Sequence, residues 1–132
     1  MKYLGTLLII GILSVSFSCK EKNDNLDPEY PFTISVKTLS DSVLVTNIRV
    51  QILAPDNTGK LKEHFIGFTD DNGKVEFKND LQAVFTARAT RGLTPPTQIG
   101  CAEVYLRPNK RVYKTVYIEP FDPVAGGCFY TP

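Results

Sequence analysis

Apolar and polar residues alternate along most of this chain with a period of two, a pattern that leaves room for little except β-strands. Phe32, Ile34 and Val36 alternate with Thr33, Ser35 and Lys37, and Ile48, Val50 and Ile52 alternate with Asn47, Arg49 and Gln51. Successive side chains of a strand point to opposite faces, so each segment offers one apolar face to a core. Five further segments have strand character: Phe65 to Thr69, Lys74 to Phe77, Ala83 to Arg91, Cys101 to Arg107 and Arg111 to Glu119. No stretch sustains a helical pattern. Seven short strands cut by turns at near-regular spacing predict an all-β, seven-stranded antiparallel sandwich in one domain, residues 31–132. The 42% hydrophobic content is enough to supply its core.

The opening residues have a different character. Lys2 precedes an apolar run from Leu4 to Val15, which ends at Ser16-Phe17-Ser18-Cys19. The run is too short to cross a bilayer as a helix, which takes ~20 residues, and a charged start followed by small residues is the form of a cleaved secretory signal, residues 1–18. These residues resemble the bacterial lipoprotein family, in which cleavage falls just before a cysteine that has received a diacylglyceryl group. The resemblance implies that Cys19 is lipidated and that residues 19–30 tether the domain to a membrane. Lys20 to Pro31 fits that role, being polar and without hydrophobic periodicity. Lys20-Glu21-Lys22-Asn23-Asp24 also resembles a short charged signal that sends some Gram-negative lipoproteins to the outer face of the outer membrane; a plain tether is the alternative.

Losing residues 1–18 removes Lys2 and leaves 14 Lys and Arg against 14 Asp and Glu. A neutral chain gives no electrostatic reason to expect nucleic acid or anionic lipid as a partner. Beyond Cys19, two cysteines remain, Cys101 and Cys128, and an oxidising compartment favours a disulfide between them. Two buried thiols or a partial metal site are the alternatives, the latter poorly supplied with ligands because His64 is the single histidine.

Between the second and fifth strands the chain resembles the transthyretin-like or carboxypeptidase-regulatory-like sandwich domains, an immunoglobulin-like architecture. The likeness lies in Val45 to Leu53, in Gly67-Phe68-Thr69-Asp70-Asp71-Asn72-Gly73-Lys74-Val75-Glu76-Phe77, in Leu81 and in Phe85 to Ala89. The central segment implies a strand, a tight turn and a short strand, and Asp71-Asn72-Gly73 has the turn chemistry for it. The likeness implies a scaffold and no reaction.

Few residues invite a chemical role. His64, between Glu63 and Phe65, has no sequence neighbour that would make it a general base. Asp70, Asp71 and Asn72 offer oxygen ligands, but Phe68 stands where a calcium loop would begin, and turn chemistry accounts for them. Asp41-Ser42-Val43 resembles an acceptor motif for protein O-glycosylation in some Gram-negative bacteria, which makes Ser42 a candidate glycan site; an ordinary polar turn is the alternative. Phe121, Phe129 and Tyr130 form a candidate contact surface near the Cys101–Cys128 end, or else a cover for the core. Tyr105, Tyr113 and Tyr117 share a parity on the last two strands and could stack on sugar rings.

The reading that follows is no enzyme and no cofactor. The expected protein is an outer-membrane, lipid-anchored accessory subunit, bound to the bilayer through its N-terminal lipid and to an outer-membrane protein through a sandwich face. A surface module that captures carbohydrate is the rival.

Overall fold

The computed structural model describes residues 27–92, 94–124 and 128. Seven strands follow one another: β1 Tyr30–Thr38, β2 Arg49–Pro55, β3 Leu61–Phe68, β4 Lys74–Asn79, β5 Val84–Arg91, β6 Gln98–Tyr105 and β7 Val112–Pro120. All seven segments expected from the alternation are strands. Tyr30, which opens β1, is already buried.

The strands form one mixed sheet in the order β3-β2-β5-β6-β7-β1-β4, bent until its two ends approach each other. The expectation of an antiparallel fold is corrected at one place, because β1 and β7 run parallel, from Phe32 opposite Val112 to Thr38 opposite Ile118. Every other strand pairing is antiparallel. Alternation reports which face of a strand is buried but carries no sign for the direction of its neighbour, and parallel pairing here needs only that the chain cross the molecule between its first and last strands.

The bend divides the sheet into two layers, β4-β1-β7 and β3-β2-β5-β6, with the core between them. Phe32, Ile34 and Val36 of β1, Val50 and Ile52 of β2, and Val116 and Ile118 of β7 are almost wholly withdrawn from solvent. Each such side chain contributes about 1.5–3 kcal/mol relative to exposure. Where β3 and β4 face each other, aromatic rings close the gap. Phe77 of β4 stacks on Phe32 at 5.4 Å and on Phe65 of β3 at 6.0 Å. Gly67 makes room for this contact, since a Cβ there would come within 2.7 Å of Val75 Cγ2.

The motif from Gly67 to Phe77 shows why its polar members are what they are. Thr69 is buried, and its hydroxyl donates to the carbonyl of Val45 at 2.7 Å while accepting the amide of Ile48 at 2.9 Å. It thus ties the β3–β4 corner to the entrance of β2. Asp70 Oδ1 accepts the amides of Asn72 at 2.8 Å and Lys74 at 3.0 Å, an Asx-type turn that carries the chain into β4.

Strand directions define two poles. Residues 27–29 and the β2–β3, β4–β5 and β6–β7 loops gather at one, the entry pole. The β1–β2, β3–β4 and β5–β6 loops gather at the other with residues 121–124. At the entry pole Asn109, at the tip of the β6–β7 turn with φ 52°, accepts the amide of Glu29 on its side chain at 3.1 Å. Its own amide donates to the Glu29 carbonyl at 2.7 Å.

Candidate interaction surface

Strands β6 and β7 pair only at Gln98 with Pro120 and Ile99 with Glu119, and then part. From Cys101 onward β6 pairs with β5 alone, while β7 pairs with β1. The crossing lies at Gly100, where a Cβ would overlap the carbonyl oxygen of Tyr117 and stand 2.7 Å from its carbon. A residue without a side chain is required there.

Clefts open on both sides of the crossing. The first, about 460 Å³, is bounded by Gly100, Cys101, Tyr117, Phe121 and Cys128. Cys101 and Cys128 are joined by a disulfide with their Cα atoms 5.7 Å apart. Phe121, half buried, is fixed by its amide, which donates to the carbonyl of Thr97 at 3.0 Å. The structure therefore brings together the disulfide, Phe121 and Tyr117. Phe129 and Tyr130, like Cys19 and the signal segment 1–18, lie outside the described residues.

The second cleft, about 290 Å³, has Tyr105 and Tyr113 on its two sides with Glu103, Arg107, Lys110 and Lys114 around them. The Tyr105 hydroxyl donates to Glu103 Oε2 at 2.6 Å, and this bond, with the carboxylate charge beside it, raises the phenol above its ordinary value. Tyr117 lines the other cleft, so the three tyrosines do not make one platform. Shared parity fails as a guide because β6 and β7 belong to different layers after Gly100.

A third feature was not legible as a site. On the outer face of β3-β2-β5-β6, Arg88 and Gln51 are 9% and 6% exposed although they alternate with core residues. Arg88 Nε and Nη2 both donate to Gln51 Oε1, at 3.0 and 2.8 Å. Gln51 Nε2 donates to Glu63 Oε2 at 2.6 Å, and Arg49 Nη2 lies 3.5 Å from the same oxygen. This row of polar groups floors a groove of about 640 Å³ walled by Leu53 and Leu61. A second volume of about 360 Å³ shares those two leucines and continues to Cys101 and Cys128.

The groove owes its shape to a register shift. Ile52 pairs with Phe65 but Leu53 pairs with Glu63, leaving His64 as the extra residue of a bulge. The shift turns Glu63 outward to meet Gln51 and sets the His64 ring edge-on to Phe65 at 4.5 Å and stacked over Phe85 at 5.3 Å. His64 is exposed and engaged by aromatic rings. The outward Leu53 breaks the alternation of β2, which was the one available signal.

Ser42 is exposed in the β1–β2 loop, at the pole opposite residue 29, with φ 56° and its amide donating to the Thr38 carbonyl at 3.0 Å. Asp41 accepts the Thr38 hydroxyl, which holds its carboxyl below the ordinary value. Among the described residues, no group of three or more His, Cys, Asp or Glu is placed to hold a metal ion, and no helix is long and apolar enough to cross a membrane.

The chain matches no family model and no curated protein. Among solved structures it is similar to the C-terminal domain of the shaft pilin SpaA from Lactobacillus rhamnosus GG, at 12% identity and a TM-score of 0.47, over 70% of this chain and 98% of that one.

Proposed function

We propose that this protein is a lipid-anchored accessory subunit of an outer-membrane protein complex, held to the bilayer through Cys19 and to its partner through the outer face of β3-β2-β5-β6. The observation that carries the reading is the groove walled by Leu53 and Leu61, beside which a second hollow shares both leucines and is bounded by the Cys101–Cys128 disulfide. It combines an apolar wall, a satisfied polar floor and a covalently pinned border, the ingredients of a specific protein contact. Phe121 borders the same disulfide and extends the surface. The transthyretin-like scaffold is part of this proposal, supported by the tie that Thr69 makes between the β3–β4 corner and β2.

The test is isolation of the full chain from membranes in mild detergent, as wild type and as Leu61→Glu, a change at a partly exposed strand position. A stoichiometric complex that the wild type retains and the variant loses supports the reading. A wild-type chain recovered alone, as a monomer, removes it.

A second reading rests on the cleft between Tyr105 and Tyr113, whose aromatic walls and Glu103 carboxylate are suited to a saccharide. Binding on a glycan array that Tyr113→Ala abolishes would favour it. For Ser42, a glycan on the native peptide is expected, and an unmodified mass rejects it.

A further inference from the structure

We infer that the entry pole is a bilayer-contacting surface, on which the β6–β7 hairpin rests against phospholipid headgroups and the domain stands upright on the membrane. The inference rests on the lipid-anchor reading and adds an orientation to it. Its starting point is the double hydrogen bond between Asn109 and Glu29, which fixes the hairpin tip beside the point where the chain enters the domain. Only ten Cα-to-Cα steps separate Glu29 from Cys19. Fully extended they reach ~35 Å, so the pole that bears Glu29 is the one a lipid on Cys19 would hold near the bilayer. The other pole lies a strand length further, ~30 Å for nine residues.

The charges of the two poles match that placement, while exposed apolar side chains occur at both, Leu81 here and Leu39, Val43 and Val124 at the far end. Arg107, Lys110 and Lys114 surround the hairpin and form no ion pair among the described residues, whereas Lys78 is paired with Glu29 and Arg111 with Glu76. Tyr105 and Tyr113, 58% and 71% exposed, flank them, and Leu81 in the adjoining β4–β5 loop is 74% exposed. Tyrosines with a polar tip, long cations and a projecting leucine are the residue types that settle at a membrane–water interface. Asp27, Glu29, Asp56 and Asp80 also lie at this pole, so the contrast between the ends matters more than the sign of either. In the loops of the far pole, residues 39–48, 69–73, 92–97 and 121–124, there are four carboxylates, Asp41, Asp70, Asp71 and Asp122, and no Lys or Arg. The corresponding loops of the entry pole, residues 27–29, 56–60, 80–83 and 106–111, balance four carboxylates with four cations, so a bilayer containing anionic lipid is opposed at the far end and not at this one.

The chain has no tryptophan, so one can be introduced as a reporter. Full-length lipidated protein carrying Tyr113→Trp or Val43→Trp, both exposed positions, is reconstituted into phosphatidylethanolamine and phosphatidylglycerol vesicles with brominated acyl chains. The expected result is at least about twofold stronger quenching for Tyr113→Trp, reduced by added salt and by Arg107→Glu with Lys110→Glu and Lys114→Glu. The mass of the N-terminal peptide is measured on the same samples. Equal quenching at both positions, stronger quenching at Val43→Trp, or none at either overturns the orientation while the diacylglyceryl mass leaves the anchor standing. If that mass is absent, anchor and orientation fall together.

Discussion

Gly100 of β6 and Tyr117 of β7 meet backbone to backbone at the point where the two layers separate. A methyl group placed on residue 100 would intrude on a main-chain carbonyl, which cannot swing aside as a side chain does. Gly100→Ala is therefore expected to destabilise the fold by about 3 kcal/mol, the upper part of the range for overpacking. Urea denaturation would register it as a lower midpoint, and an unchanged midpoint would mean that the crossing is looser than the geometry shows.

Thr69 satisfies two buried main-chain groups with one hydroxyl. In Thr69→Val the Ile48 amide and the Val45 carbonyl lose that partner, at a cost of about 2 kcal/mol. Thr69→Ser keeps the hydroxyl and should stay much closer to wild type in the same denaturation experiment. Equal losses for both would show that the methyl, and not the bonding, is what the site needs.

The disulfide closes a loop with a sequence separation of 27. By the chain-entropy argument its removal in Cys101→Ser with Cys128→Ser is expected to cost about 3–4 kcal/mol. Alkylation of the wild-type thiols only after reduction, together with a fall in the unfolding midpoint of the variant, is the outcome that agrees.

Acid sensitivity should trace in part to the β2–β3 turn. The Thr58 hydroxyl and then the Thr58 amide hold the Asp56 carboxyl at about 2, below its ordinary value of 3.8, with Lys62 a smaller influence. Because the folded value lies below the unfolded one, the stabilisation is complete above pH 3.8 and is lost as pH falls through about 2. Asp56→Asn should flatten that part of the stability profile. Tyr105 has the opposite sign: its raised phenol favours the neutral form, a contribution present below the ordinary value of 10.0 and lost as pH rises through the folded one. Ultraviolet titration of wild type against Glu103→Gln would follow it.

The strands were legible because Phe32, Ile34 and Val36, or Phe85, Ala87 and Ala89, mark a buried face by simple alternation. Their partners were not, since alternation is blind to direction, and the parallel neighbour of β1 proved to be β7. The first half of β3 was missed because the bulge at His64 resets the parity, so Leu61 to Glu63 no longer continue the pattern of Phe65. At the candidate surface the two cysteines stood out by count alone. Gln51 and Arg88 did not, because a polar residue between two core positions reads as solvent-facing, and only the fold shows that these two are covered and bonded to each other.

The shared direction of the first and last strands has a mechanical corollary. Tyr30 and Pro120 lie at opposite poles, and seven registered residue pairs connect their strands. Tension applied between those two points would load the connecting bonds broadside and together, in shear, where an antiparallel hairpin would unzip one rung at a time. A domain wired this way should yield late and abruptly when stretched along that axis.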